Sequence, residues 1–265
     1  LGLRAGMLEE LDAKMLPFRR HLAEWKETWG RPLLASCLNW IGYDDEAVLA
    51  CLSERLEAMC GLVRTGNYDI YIDQDTFGDF SAAFRKRPLV NPEFYDRLPS
   101  IWDIYALAHW PEPLATVEAQ SKIDEVIAYI LHPDYQALEE GYGVMRADKR
   151  RYYSMGWSVH LPGYSEPGSS FPEYMYVQRL ELMAHFAVAR HTPWFQGCLG
   201  HLHQFQTEQG TYRFPAGYLR ESSSGYWVSG AYMRLEENRR VRRSLDLDST
   251  FRMCVIESLA QGDRR

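Results

Sequence analysis

Four carboxylates crowd one short stretch of the sequence: Asp69, Asp73, Asp75 and Asp79. Oxygen ligands at such density suit a hard divalent cation, Ca²⁺ or Mg²⁺. Asp73, Asp75 and Gly78 match the first, third and sixth positions of a helix-loop-helix calcium loop. Phe77 falls where that loop needs an oxygen, and Phe84 where it needs a bidentate glutamate, so that loop type is excluded. The plainer alternative is that these side chains close turns and cap the residues that follow, since Asp hydrogen-bonds nearby backbone readily.

Histidines supply the second set. Glu181 and His185 lie four residues apart, on one face of any helix that holds them, as a metal pair would. No HExxH pattern accompanies them. His201 and His203, two apart, diverge on a helix. Hydrogen-bonded structural histidines are the favoured reading, and no metal site is expected. The five cysteines, Cys37, Cys51, Cys60, Cys198 and Cys254, include no CxxC pair and are odd in number. They read as reduced thiols of a cytoplasmic protein rather than a disulfide framework or a zinc site. No P-loop, GxGxxG or GxSxG element is present, and the sequence names no cofactor.

The elements that must position these groups are mostly helical. The spacing predicts a helix over 7–29, kinked at Pro17, and one after Asp44 or Asp45 with Val48, Leu49, Leu52, Leu56 and Met59 as its apolar stripe. Tyr68, Ile70 and Ile72 alternate with polar residues, which suits a short strand. Further helices are expected over 91–110, 114–131, 173–190 and 194–207, with a short one after His132-Pro133 and a last one capped by Asp248 or Ser249. The Gly-, Tyr- and Ser-rich stretch 141–172 is expected to be largely irregular, and 208–248 mostly loop with short strands at 211–214 and 226–228. No linker divides the chain, so one domain over 1–265 is expected. Leu1 rather than Met opens the sequence, which leaves room for a missing native N-terminus.

Composition sets the outer limits. Of 265 residues 46% are hydrophobic and 25% charged, ordinary globular values that allow a large core. The net charge of −7 argues against a nucleic-acid partner, and acidic neighbours dilute the basic runs at 146–151 and 239–243. No apolar run is long enough to span a bilayer. Aromatics reach 14%, so either an aromatic-lined cavity or aromatic packing between helices is expected.

One segment carries a family resemblance. In 194–215, WFQGCLGHLHQFQTEQGTYRFP, a helix runs to Gln206, and Gly210, Thr211 and Tyr212 follow. This resembles the repeat of terpenoid cyclases and prenyltransferase-type toroids, in which Gln ties the helix end to a turn, Gly permits the reversal and an aromatic ring packs back. Gly66 and Tyr68 echo it without the Gln. Residues 152–164 and 210–252 also resemble bacterial squalene-cyclase-like proteins of undefined activity. The resemblance implies an α/α toroid, partial or complete, of paired antiparallel helices around a central cavity. It also likens Asp73-Gln74-Asp75-Thr76 to the acid motif of class II terpene cyclases, with Asp73 and Asp75 as catalytic carboxyls, although the third Asp of that motif is absent. Trp157, Tyr164, Tyr212, Tyr218, Tyr226 and Trp227 would then wall a pocket, stabilising a carbocation or stacking on a sugar.

Three functions remain open on the sequence. The first is a toroid binding an apolar small-molecule ligand, isoprenoids among the candidates. The second is a toroid that binds or cleaves glycans with Asp73, Asp75 or Glu221 as acid and base. The third is a protein-interaction domain without catalysis. Oligomeric state is not fixed by the sequence.

Overall fold

The computed structural model describes residues 30–73, 86–148, 151–164, 173–219, 233–235 and 243–262. These form a mostly helical chain with one small four-stranded sheet. Helix α1 spans Arg31–Trp40, with Pro32 in its first turn, where a missing N–H costs nothing. Helix α2, Glu46–Val63, starts where Asp45 accepts a hydrogen bond from the Val48 amide at 3.1 Å. Its buried stripe is Val48, Cys51, Leu52, Leu56 and Met59, close to the predicted one, and the chain turns away at Gly66 with φ +62°.

The helix expected over 91–110 is two pieces. Asn91 caps a 3-10 turn, Pro92–Phe94, and α3 begins afresh at Ile101–Ala108. Ser100 and Asp103 form a reciprocal capping box there, which stops any continuous helix through Pro99. Arg55 of α2 reaches into the same corner. It donates to both carboxylate oxygens of Asp103 at 2.8 Å and to the Leu98 carbonyl at 2.7 Å. Thr116 caps α4, Val117–Ile130, and α5, Pro133–Gln136, follows at once.

The helix expected over 173–190 also breaks. Helix α6, Glu173–Met183, ends before α7, Ala187–Arg190, and Arg190 donates to the freed Ala184 carbonyl at 3.0 Å. Thr192 caps α8, Pro193–His203. The last helix, α9, Ser244–Ala260, begins earlier than the sequence suggests. Asp248 and Ser249 lie inside it and accept from the backbone of Leu235 and Phe214 instead of capping.

Contacts between elements arrange the helices in two rows. Helix α1 packs on α3, α3 on α6 and α6 on α9. Beside this row, α2 packs on α4 and α4 on α7, while α8 bridges α6 and α7. Leu56, Met59, Ile104, Ile127, Leu180 and Phe195 are buried members of the core between the rows.

The stretch expected to be irregular holds a hairpin. Strands β1, Tyr71–Ile72, β2, Leu89–Val90, β3, Val144–Asp148, and β4, Arg151–Ser154, lie in that order across the sheet; only β2 and β3 run parallel. Gly143 enters β3 at φ +101°, and a Cβ there would meet the Pro88 carbonyl oxygen at 2.4 Å, so only glycine lets the two segments close. No helix among the described residues is long and apolar enough to cross a membrane.

The predicted corner at the end of α8 forms as a local structure. The Gln206 amide donates to the Gly210 carbonyl at 3.5 Å, Gly210 adopts φ +79°, and Gln206 bridges Tyr212. The Tyr212 ring lies 6.1 Å from the His203 ring on α8.

Candidate functional site

Side chains from the first helix row converge where α1, α3 and α6 end. Helix α1 offers Trp40 at its C-terminal residue, 47% exposed. Helix α3 offers Tyr105 and, one turn later, His109. Helix α6 offers Gln178 and Glu181, and His185 follows its last turn. The Trp40 ring lies 6.3 Å from Tyr105 and 6.1 Å from His109. His109 and His185 meet edge to face, their centroids 5.1 Å apart at 70°. The Gln178 amide donates to the Tyr105 hydroxyl.

Helix α9 closes the row with Arg252. It donates to both Glu181 oxygens, at 3.0 and 3.2 Å, and to the Met233 carbonyl at 2.8 Å.

Burial sets the charges. Desolvation drives the His185 pKa down to about 4, with the His109 ring and Arg190 adding to the effect. Desolvation lowers His109 as well. Both imidazoles are therefore neutral at neutral pH, each with one donor and one acceptor nitrogen. No described residue hydrogen-bonds these ring nitrogens. Burial raises the Glu181 carboxyl, against the opposing pull of Arg252, and raises the Tyr105 phenol.

Two depressions flank the histidine pair. His185 lines a cleft of about 430 Å³ whose other walls include Leu107, Trp110, Gln120, Ile123 and Phe186. His109 lines a depression of about 560 Å³ with Asn39, Asp44, Pro111, Glu112 and Pro113. Volumes of this order suit a small organic molecule.

The sequence-predicted residues are distributed more widely. Asp73 follows β1 directly and is exposed, while Asp75, Tyr226, Trp227 and Glu221 lie outside the described residues. Trp157, at φ +69°, packs its ring 5.6 Å from Trp102. The Tyr164 hydroxyl donates to the Leu131 carbonyl at the end of α4. Tyr212 and Tyr218 do come together, in a cluster with Phe214. Their hydroxyls are engaged, Tyr212 with Glu257 at 3.3 Å and Tyr218 with His201 at 2.8 Å.

Glu181 and His185 do not form the metal pair their spacing allows, since one turns to Arg252 and the other to His109. No group of three or more His, Cys, Asp or Glu among the described residues is placed to hold a metal ion. His203 pairs with Glu257 at 3.0 Å, a structural contact. Trp40, Tyr105 and His109 were not singled out by sequence reasoning. The four-residue spacing of Tyr105 and His109 at the end of α3 was the available signal.

Comparison with known protein families, with curated proteins and with solved structures finds no match for this chain.

Proposed function

We infer that the chain is an arc of an α/α toroid that binds an apolar small molecule in the cleft beside His185. The path of the chain supports the toroid: helices alternate between two rows, and α1, α3, α6 and α9 follow one another along one of them. In such an arc that row is the inner one, and its side chains face the centre.

One observation carries the ligand reading. Two desolvated, neutral imidazoles stand in contact beside a cleft walled by Leu107, Trp110, Ile123 and Phe186, with no described partner for their ring nitrogens. Neither imidazole is fully buried, so water reaches these nitrogens, and a ligand hydroxyl or carbonyl would take that water's place while its apolar body fills the cleft.

The same constellation supports binding rather than turnover. A general base works best with a pKa near the operating pH, and His185 sits far below it. Glu181 is held by Arg252, and the phenol of Tyr105 is raised away from neutrality.

The test is titration with N-phenyl-1-naphthylamine, an uncharged probe that brightens in apolar sites. The expected result is saturable binding that weakens about tenfold or more in Ala108→Phe, which fills the cleft from the end of α3. Absence of binding, or equal binding by a correctly folded variant, overturns the reading.

A further inference from the structure

Helix α9 buries one face and shows the other to solvent. Ser244, Asp248, Ser249, Met253 and Ile256 are buried, whereas Arg243, Leu247, Phe251, Cys254 and Ser258 are exposed. Leu247 is 58% and Phe251 44% exposed, unusual for large apolar side chains on a helix whose other face is core. Leu235, 55% exposed, lies beside α9, its backbone N–H donating to Asp248 at 3.1 Å.

The exposed positions 247, 251, 254 and 258 are spaced four, three and four. That is the spacing of a helix-pairing seam, and it reads identically in both directions. We propose that α9 pairs with α9 of a second copy of this chain, antiparallel across a two-fold axis. A two-fold contact demands a self-complementary patch, and a palindromic seam meets that demand.

The axis passes between Arg252 and Met253. Phe251 then faces Cys254 of the second copy, and Leu247 faces Ser258. Charge agrees with this direction. Exposed Arg243 comes to the last turn of the other α9, where free carbonyls give a partial negative charge. Parallel pairing would set Arg243 against itself. Two flanking charges are already matched within the chain, Asp246 with Arg213 and Arg252 with Glu181, and Glu257 accepts hydrogen bonds from His203 and Tyr212. Covering the seam strands none of them.

Sedimentation equilibrium from micromolar to submillimolar concentration tests the pairing. The full chain and an Ile41→Glu control, changed at another exposed apolar position, are expected to dimerise. Leu247→Glu and Phe251→Glu are expected to stay monomeric with unchanged helical circular dichroism. On mild oxidation, Phe251→Cys is expected to give a disulfide-linked dimer that a second change, Cys254→Ser, abolishes. A monomer at every concentration overturns the proposal, as does a dimer that survives both glutamates. A Phe251→Cys variant that forms no link through Cys254 overturns the antiparallel register.

Discussion

His185 and His109 acquire their character from each other and from burial. Neither can take a proton without placing a cation against the other ring in a poorly solvated corner. The consequence for stability has a definite sign. The unfolded His185 binds a proton near its ordinary pKa of 6.5, and the folded one near 4, so the unfolded state holds more protons between those values. Folding stability should fall as pH drops through that window. The ring is partly open to solvent, which reduces the effect to about 1 kcal/mol at about pH 5. Urea unfolding at neutral pH and at pH 5 should show this loss in the native chain and a smaller loss in His185→Phe. Equal losses would show that His185 does not carry the proton linkage. The Glu181/His185 spacing was legible in the sequence, but the partners that set each residue's role come from α9 and α3, and spacing along one helix says nothing of those.

Helix ends are where local chemistry and long-range packing meet. The N-terminus of α3 has a local signal, Ser100 with Asp103 three residues on, and the sequence reading ran a helix straight through it. The deciding partner is Arg55, 48 residues from Asp103, whose guanidinium is buried with the carboxylate. Removing one member leaves the other charged and buried without its partner, which costs about 3–5 kcal/mol. Arg55→Ala should therefore lower unfolding free energy by that amount, and Ser100→Ala by about 1 kcal/mol through the cap alone. Thermal denaturation of both variants checks the order; a larger loss from Ser100→Ala would mean that the local cap, not the ion pair, holds this corner. The sheet shows the same limit. The alternation of Tyr68, Ile70 and Ile72 overlaps β1 only at its end, whereas β3 and β4 sit in a glycine- and tyrosine-rich stretch where Gly143 passes close to Pro88.

At the scale of the whole chain, helix content and the α8 corner at Gln206, Gly210 and Tyr212 were legible because both are written in short-range pattern. Helix α1 was not, because its ten residues give only a short apolar pattern and no side chain caps its start. The aromatic wall expected from Trp157, Tyr164, Tyr212 and Tyr218 divides among separate packing clusters, since large rings fill gaps between elements as readily as they line a cavity. What assembles the cleft is the meeting of the end of α3, the first turns of α4 and the turn after α6, which brings residues 107, 117 and 185 together. Native mass spectrometry of the purified chain, alongside the Ala108→Phe variant prepared identically, tests that assembly most directly. A bound small molecule on the native chain that is lost from the variant is the predicted result. A native chain free of any adduct across independent preparations, or an adduct retained equally by the variant, would contradict it.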